Sequence, residues 1–498
     1  MADLLAAWAL VLDPEVLLVI LAAAFFGLFV GAVPGLTATM ATALLVPVTF
    51  FMAPLPAVAA IVACTAMAIT AGDIPGALLR IPGTPASAAY TDEAYALTRA
   101  GQPELALGAG LVCAALGGLF GALVLVVAAP LLARIALGFS SFEYFWLAAL
   151  GLTSAAFVSA ADRAKGVVSL TLGLFIATIG LDITSGLPRF TFGSVELMGG
   201  VSFIPAMIGM FAVSEVLRNI TDGTSLGTVP KVNVGNPFRG LGAVLWRYRL
   251  NVLRGSALGT TVRALPGAGG DIAAWIAYAN AKRFSKTPEK FGQGHVEGIV
   301  EAGSANNSGL SSAWVPAMVF GIPGDAITAI AIGVLFMKGL NPGPRIFVEQ
   351  PAMLYAIFIT FFLANLLLIP LGWLAIRAAR PVLAVPRNLL LPLILIFCVV
   401  GAFAINNTVF GIAVMLVLGV VAWLMESSGY PIAPVILGIV IGPLLEQNFM
   451  ISMMIGDGDL LAFFARPIAA VLGVITVAVW LAPLALRLAR GWRPGPHP

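Results

Sequence analysis

The chain has 498 residues, of which 60% are hydrophobic and only 10% are charged, and its formal net charge is +3. Soluble domains carry about 25% charged residues, so this composition excludes a cytosolic globular enzyme, a disordered chain and a nucleic-acid binder. The three cysteines and two histidines lie far apart in sequence, which argues against a disulfide framework or a metal centre. We predict an all-α, polytopic membrane protein with about twelve transmembrane helices.

Apolar segments recur along the whole chain, and one helical crossing of a bilayer needs about 20 such residues. Several segments are too long for one crossing or carry Pro-Gly near their centre. These are expected to be interrupted or re-entrant helices. The segments fall near 15–33, 38–70, 105–133, 143–160, 166–186, 195–217, 255–281, 308–338, 351–376, 388–405, 408–425, 431–445 and 460–486.

Basic residues cluster in a few stretches, and this predicts their side of the membrane because cytoplasmic loops carry an excess of Lys and Arg. The stretch 218–254 is polar and basic, so it is expected to be a cytoplasmic loop. It would connect a first half at 1–217 to a second half at 255–498. The acidic stretch 446–459 is expected to face outward and the basic C-terminus to be cytoplasmic.

The two halves contain the same Pro-Gly motifs in the same order. GAVPGLTATMATAL (31–44) is followed by LLRIPGTPASAA (78–89), and RALPGAGGDIAAWIA (263–277) is followed by MVFGIPGDAITAI (318–330). The flanks of the first motif are acidic or neutral, whereas those of the third are basic. The two hairpins are therefore expected to enter from opposite faces, as in the inverted-topology repeats of secondary transporters. A single Pro-Gly usually marks only a kink, but four at paired positions favour a shared site.

An interrupted helix has a chemical use, because its second part begins with free backbone N–H groups and the positive end of a helix dipole. Such ends bind anions without a buried cation. Several of them meeting at mid-membrane would suit a substrate with two or three carboxylates. We assign substrate binding to Pro34, Gly35, Thr37, Thr39, Gly83, Thr84, Pro85, Ser87, Gly267, Ala268, Gly269, Gly270, Asn306, Asn307, Pro323, Gly324 and Thr328.

Four charged residues near the breaks, Asp73, Arg80, Asp271 and Asp325, are candidates for binding a carboxylate or a coupling cation. Arg80 either binds a substrate carboxylate through its fork or pairs with Asp73, and pairing is favoured slightly. Asp271 and Asp325 either cap helices or bind a coupling cation. Asn306 and Asn307 either line the site or hold helices together.

The motifs together resemble those of the tripartite tricarboxylate transporter family, in its large membrane subunit of the TctA type. This resemblance covers both halves in order. The matching stretches are GAVPGL (31–36), IPGTPASAA (81–89), RAGQ (99–102), LPGAGGDIAAWIAY (265–278), ANN (305–307), GIPGDAITA (321–329) and GLNPGP (339–344).

The resemblance implies uptake of an organic carboxylate across the bacterial inner membrane, driven by an ion gradient of Na⁺ or H⁺, with no other cofactor. It implies two partners, a small membrane subunit and a periplasmic binding protein that delivers the substrate. The chain departs from the family pattern at Asp73, Arg80 and Gly303, where the family usually has a small polar residue, an uncharged polar residue and Glu. These departures bear on the substrate more than on the mechanism.

The sequence as a whole favours a cation-coupled secondary importer without catalytic residues. One alternative is a carboxylate channel, although channels usually build their pore from symmetric subunits. A much less favoured alternative is an intramembrane aspartyl protease, because Gly456-Asp457-Gly458-Asp459 matches a GxGD motif. Such an enzyme needs a second aspartate facing the first, and no neighbouring span supplies one.

Overall fold

The computed structural model describes residues 2–158, 162–182, 185–222, 234–264, 270–383, 385 and 387–491. In these residues the regular secondary structure is helical, apart from a two-stranded antiparallel ribbon of β1 (Gly180–Leu181) and β2 (Pro188–Arg189). The helices before residue 223 are α1 (Ala2–Val11), α2 (Pro14–Ala32), α3 (Ala38–Thr49), α4 (Pro54–Ala71), α5 (Asp73–Leu79), α6 (Ala88–Arg99), α7 (Pro103–Ala136), α8 (Ser141–Val158), α9 (Arg163–Ala177), α10 (Phe203–Met207) and α11 (Ser214–Asp222).

In the first series, a π-helical segment, Ile208–Val213, joins α10 to α11. A second series of helices follows residue 233. The second series comprises α12 (Leu241–Arg247), α13 (Arg249–Arg263), α14 (Gly270–Phe284), α15 (Val296–Phe320), α16 (Ala326–Met337), α17 (Ile346–Glu349), α18 (Pro351–Arg377), α19 (Ala379–Leu383), α20 (Arg387–Asn406), α21 (Val409–Ser427), α22 (Ala433–Ile455) and α23 (Pro467–Gly491).

Within the described part of the chain, seven helical stretches are long and apolar enough to cross a membrane, and five apolar helices are shorter. This confirms the prediction of an all-α, polytopic membrane protein. The seven are Pro14–Ala32, Pro54–Leu79, Pro103–Ala136, Phe203–Thr221, Pro351–Arg377, Val409–Ser427 and Ala433–Ile455.

Three predicted segments differ from the structure, each for a local reason. Segment 38–70 is two helices, because Pro54 starts α4 at a position where its missing N–H costs nothing. The expected outward loop 446–459 is mostly helix, because α22 continues to Ile455. The expected connecting loop 218–254 contains the end of α11, all of α12 and the start of α13. The division of the chain into halves stays a prediction.

Close packing of α2 on α4 is repeated by α13 on α15. A Cβ placed on Gly27 would lie 2.3 Å from the Cys64 carbonyl oxygen, and one on Gly259 would lie 2.2 Å from that of Ala305. These glycines are 232 positions apart (259 − 27), as are Pro34 and Pro266. Small residues let the two backbones touch, as is usual between membrane helices. The helices that lead into the breaks are therefore held in the same way in both halves.

Two segments of the first half pack closely against helices of the second half. In α9, a Cβ on Gly173 would meet the Val435 carbonyl of α22 at 2.1 Å. In the π-helical segment, one on Gly209 would meet the Met415 carbonyl of α21 at the same distance. The first 217 residues and the C-terminal helices are thus in direct backbone contact.

Candidate functional site

The first break lies between α2 and α3 and is formed by residues 33–37. Gly35 takes φ 88°, a left-handed conformation that glycine tolerates without a Cβ clash. Its carbonyl accepts a hydrogen bond from the Asn219 side chain at 3.4 Å. Thr37 caps α3 by accepting the Met40 N–H at 3.2 Å, and Thr39 is half-buried in the first helical turn. Pro34 is buried.

The second break, residues 80–87, separates α5 from α6. Arg80 ends α5 in the left-handed region at φ 60°, and its N–H donates to the Gly76 carbonyl at 3.1 Å. Thr84 and Ser87 then cap the start of α6. The Ser87 N–H donates to Thr84 Oγ1 at 3.0 Å, and the Thr84 N–H donates to Ser87 Oγ at 3.1 Å.

The fourth break, residues 321–325, repeats this construction 241 positions later (323 − 82). Gly321 ends α15 at φ 68°, and its N–H donates to the Ala317 carbonyl at 3.1 Å. Asp325 and Thr328 form the reciprocal cap of α16, with the Thr328 N–H on Asp325 Oδ1 at 2.8 Å and the Asp325 N–H on Thr328 Oγ1 at 2.9 Å. Each bond has its counterpart in the second break, so the two breaks have one local structure.

The glycines of these two breaks fit their surroundings differently. A Cβ on Gly83 would lie 2.3 Å from Gly72 Cα, whereas one on Gly324 would lie 3.4 Å from the Cβ of Ala313. Gly72 and Ala313 are again 241 positions apart. Gly83 therefore makes a backbone contact that no side chain permits, while a methyl group at Gly324 would need a shift of only a few tenths of an ångström. Pro85 is exposed beside the second break, and Pro323 is buried in the fourth.

The predicted third break covers residues 265–269, which lie outside the described residues together with its candidates Gly267, Ala268 and Gly269. Gly270 begins α14, and the side chain of Asp271 is not among those described. The flanks are described, and they place this break beside the others. On one side the carbonyl oxygen of Arg263 would lie 3.2 Å from a Cβ on Gly324. On the other side Trp275 Nε1 donates to the Pro85 carbonyl at 3.1 Å.

The short helices that follow the breaks pair crosswise between the halves. Lys338, just after α16, donates to the carbonyls of Phe50 and Met52 at 2.7 Å, so the C-terminal ends of α16 and α3 coincide. Both helices have 12 residues, which brings their N-terminal ends to the same level. The N-terminal ends of α14 and α6 meet through Trp275 and Pro85. All four breaks therefore have neighbouring flanks.

A polar chain links α5, α6 and α15 beside the breaks. The Tyr90 hydroxyl donates to Asp73 Oδ1 at 2.7 Å, and Asn306 Nδ2 donates to the Tyr90 oxygen at 3.2 Å. Two voids of about 10 Å³ each flank Asp73, which is room for about one water molecule. Asn307 instead donates to Asn365 Oδ1 at 2.9 Å and to the Ala114 carbonyl at 2.8 Å. Asn307 thus joins α15 to α7 and α18, as in the interpretation of these amides as contacts between helices.

Two of the charged residues are settled by their contacts. The expected pairing of Arg80 with Asp73 is wrong: Arg80 Nε lies 2.7 Å from Asp92 Oδ1, and both side chains are exposed. The left-handed turn at Arg80 directs it away from α5, and Asp73 takes Tyr90 as its partner. Asp325 has the capping geometry, which was one of its two interpretations.

Sequence reasoning missed Glu93, a fully buried carboxylate in α6. Its two oxygens accept the N–H groups of Gly292, Gly294 and His295 and the hydroxyl of Tyr278. These partners are held on the loop before α15 and on α14. Glu93 directly follows the exposed Asp92, so no local signal distinguished it, and most of its partners are backbone groups about two hundred positions away.

A second buried acid, Glu301, is neutralised inside the second half. It pairs with Arg254 of α13 and accepts Asn251 Nδ2 at 2.8 Å and Asn280 Nδ2 at 3.0 Å. The GxGD motif lies elsewhere, in an exposed turn after α22 where Asp459 caps a short 3₁₀ helix. Its aspartates do not lie within a membrane-spanning helix.

These features define a class: a polytopic helical membrane protein whose interrupted helices meet in its interior. The chain belongs to the tripartite tricarboxylate transporter TctA family, which matches residues 17–437. The chain is thus a member of a transporter family that belongs to a tripartite system.

Two relatives come from Agrobacterium vitis. One, described as an uncharacterized 52.8 kDa protein in the TAR-I ttuC' 3' region, is 33% identical over 465 residues, covering 92% of this chain and 91% of the relative. The other, described as an uncharacterized protein in the TAR-II ttuC' 3' region, is 36% identical over 227 residues, covering 45% of this chain and 94% of the relative. No solved structure matches the chain.

Proposed function

We propose that this chain is the translocating subunit of a cation-coupled importer of organic di- or tricarboxylates. The proposal is supported by three described breaks, at 33–37, 80–87 and 321–325, whose flanks neighbour those of the predicted third break, in a member of the TctA family. A capping side chain uses one of the four free N–H groups at a helix start. The remaining N–H groups and the helix dipole stay available for an anion.

The substrate would lie between the N-terminal ends of α3, α6, α14 and α16. Thr37, Thr84, Ser87 and Thr328 would set the shape of those ends through their caps. Gly35, Gly83 and Gly324 would let the backbone approach a carboxylate closely. Fixed dipoles of this kind avoid the large desolvation cost of several buried cations in a membrane.

Asp73 is the best candidate for the coupling group. It lies at the start of α5, is hydrogen-bonded to Tyr90, and is flanked by two water-sized voids. An acidic side chain inside a membrane segment is costly unless it has a function, and Asp73 forms no ion pair within the described part of the chain. Binding of Na⁺ or H⁺ there would reach the substrate wall through Tyr90 and Asn306.

The partners follow from the family rather than from contacts. We expect a small membrane subunit to complete the membrane complex and a periplasmic binding protein to deliver the carboxylate. The complex would act in the bacterial inner membrane, with 218–254 and the C-terminus in the cytoplasm. Uptake would require no ATP.

The test is uptake of labelled tricarballylate by proteoliposomes that contain the chain with its small membrane subunit and binding protein. A coupled importer accumulates the label only when a Na⁺ or proton gradient is imposed, and it exchanges the label in counterflow. Asp73→Asn should abolish the gradient dependence. Asp459→Asn, in the exposed turn after α22, serves as the matched control and should transport normally. Unsaturable flux without counterflow would contradict the proposal and favour a channel.

A further inference from the structure

Arg263, the last residue of α13, is a buried cation beside the third and fourth breaks. Only 6% of the residue is exposed. Its Nε and Nη1 atoms are buried and have no hydrogen-bond partner, and none of the described carboxylates forms a salt bridge with it. Two half-buried arginines differ from it: Arg254 pairs with Glu301, and Arg189 pairs with Glu446.

Space for this side chain is provided on the facing helix. A Cβ on Gly309 of α15 would lie 1.9 Å from Arg263 Cδ. In the first half the equivalent positions are Gly31 and Ala68, which touch each other closely with no cation between them. In the second half, Arg263 stands at the position of Gly31, and Gly309 stands at the position of Ala68. The glycine leaves space for the one long basic side chain. This cation has no counterpart in the first half.

An unpaired buried guanidinium is unfavourable by itself. Arginine cannot lose its proton in proteins, and a buried charge is normally retained only with a partner. The structure shows the cation and the space for it, while its partner is missing from the described residues. An anion that binds reversibly would be such a partner and would form no permanent ion pair.

We infer that Arg263 binds one carboxylate group of the transported substrate. This inference rests on the proposed function and adds a specific anchor to it. The planar guanidinium of arginine donates two parallel hydrogen bonds to a carboxylate, from Nε and Nη2 or from Nη1 and Nη2. The unpaired Nε and Nη1 of Arg263 lie one on each of these two edges. The helix ends at the breaks then bind the other carboxylate groups. The site therefore selects substrates with at least two carboxylates over monocarboxylates.

The test compares the intact membrane complex carrying wild-type chain, Arg263→Met, Arg263→Lys or Arg249→Gln. Arg249 lies on the same helix, is exposed and stacks on Trp246, which makes Arg249→Gln the matched control. The unfolding temperature is measured with and without tricarballylate, and the dissociation constant is obtained from its concentration dependence. The monocarboxylate propionate is the second probe.

For Arg263→Met we expect an unfolding temperature at or above that of wild type without ligand, because an unpaired charge is removed. We expect roughly 10- to 100-fold weaker binding of tricarballylate, in line with the loss of a charged hydrogen-bond partner. Arg263→Lys should restore part of the binding, Arg249→Gln should bind like wild type, and propionate should stabilise none of them.

Two results would overturn the inference. Tricarballylate binding by Arg263→Met within twofold of wild type would show that the side chain does not bind the substrate. A lower unfolding temperature, or loss of folding, in Arg263→Met would show a structural role. If the wild-type complex itself neither binds nor transports tricarballylate, the proposed function fails and the inference fails with it. That result is distinguishable because no substitution is needed to obtain it.

Discussion

Replacing Gly83 by Ala tests the tightest backbone contact at the breaks. The added Cβ would lie 2.3 Å from Gly72 Cα and 2.8 Å from the Gly72 carbonyl oxygen. Carbon atoms prefer a separation of about 3.5–4.0 Å, so the second break must move by roughly 1 Å. Overpacking of this kind costs about 1–3 kcal/mol. The equivalent change, Gly324→Ala, meets the Arg263 carbonyl oxygen at 3.2 Å and Ala313 Cβ at 3.4 Å, so it needs a smaller shift and should cost about 1 kcal/mol.

The assay measures the unfolding temperature of the purified membrane complex and the initial rate of tricarballylate uptake for both variants. Gly83→Ala should lower both quantities, and Gly324→Ala should lower the unfolding temperature clearly less. Gly242→Ala, where an added methyl group meets open space, is the control. Equal unfolding temperatures for Gly83→Ala and Gly324→Ala would refute the reasoning, because the same local structure is then not limited by the Gly72 contact.

Three further outcomes follow from side-chain contacts. Glu93→Ala removes the acceptor of three backbone N–H groups in the loop before α15, and a hydrogen bond to a charged group is worth about 1.5–3 kcal/mol, so limited proteolysis should cut this loop faster; an unchanged cleavage rate would contradict this. Arg80→Gln removes an exposed ion pair with Asp92 that is worth roughly 0–1 kcal/mol, so a large fall in unfolding temperature would contradict the assignment. Gly309→Ala would place a Cβ 1.9 Å from Arg263 Cδ, so it should displace Arg263 and weaken tricarballylate binding in titrations; unchanged binding would contradict the anchor role.

The sequence was sufficient to predict the class of protein and the position of the breaks. Pro and Gly are readable because they restrict or free the backbone wherever they occur. The matched pair Pro82 with Pro323 led directly to two breaks that have equivalent hydrogen bonds in the structure, whereas Pro266, the match of Pro34, lies outside the described residues. Helix boundaries were harder to predict, because α22 continues through polar residues that were interpreted as part of the loop 446–459.

Side-chain partnerships could not be read from the sequence. Arg80 and Asp73 are seven positions apart, yet the left-handed turn at Arg80 sends its side chain to Asp92. The isolation of Arg263 was equally hidden, because a lack of partners depends on every neighbouring helix. The partners of Glu93 lie about two hundred positions further along the chain. These relations depend on tertiary packing and not on local pattern.

The crosswise pairing of α3 with α16 and of α6 with α14 has a consequence for biogenesis. Chains are synthesised from the N-terminus, and earlier segments begin to fold first. The helices α3 and α6 are therefore synthesised well before their partner helices α16 and α14. Until then, polar caps such as Thr84 and Ser87 face lipid or the insertion machinery, where irregular backbone is poorly tolerated. A nascent chain stalled between the halves is thus a natural target for membrane proteases and chaperones.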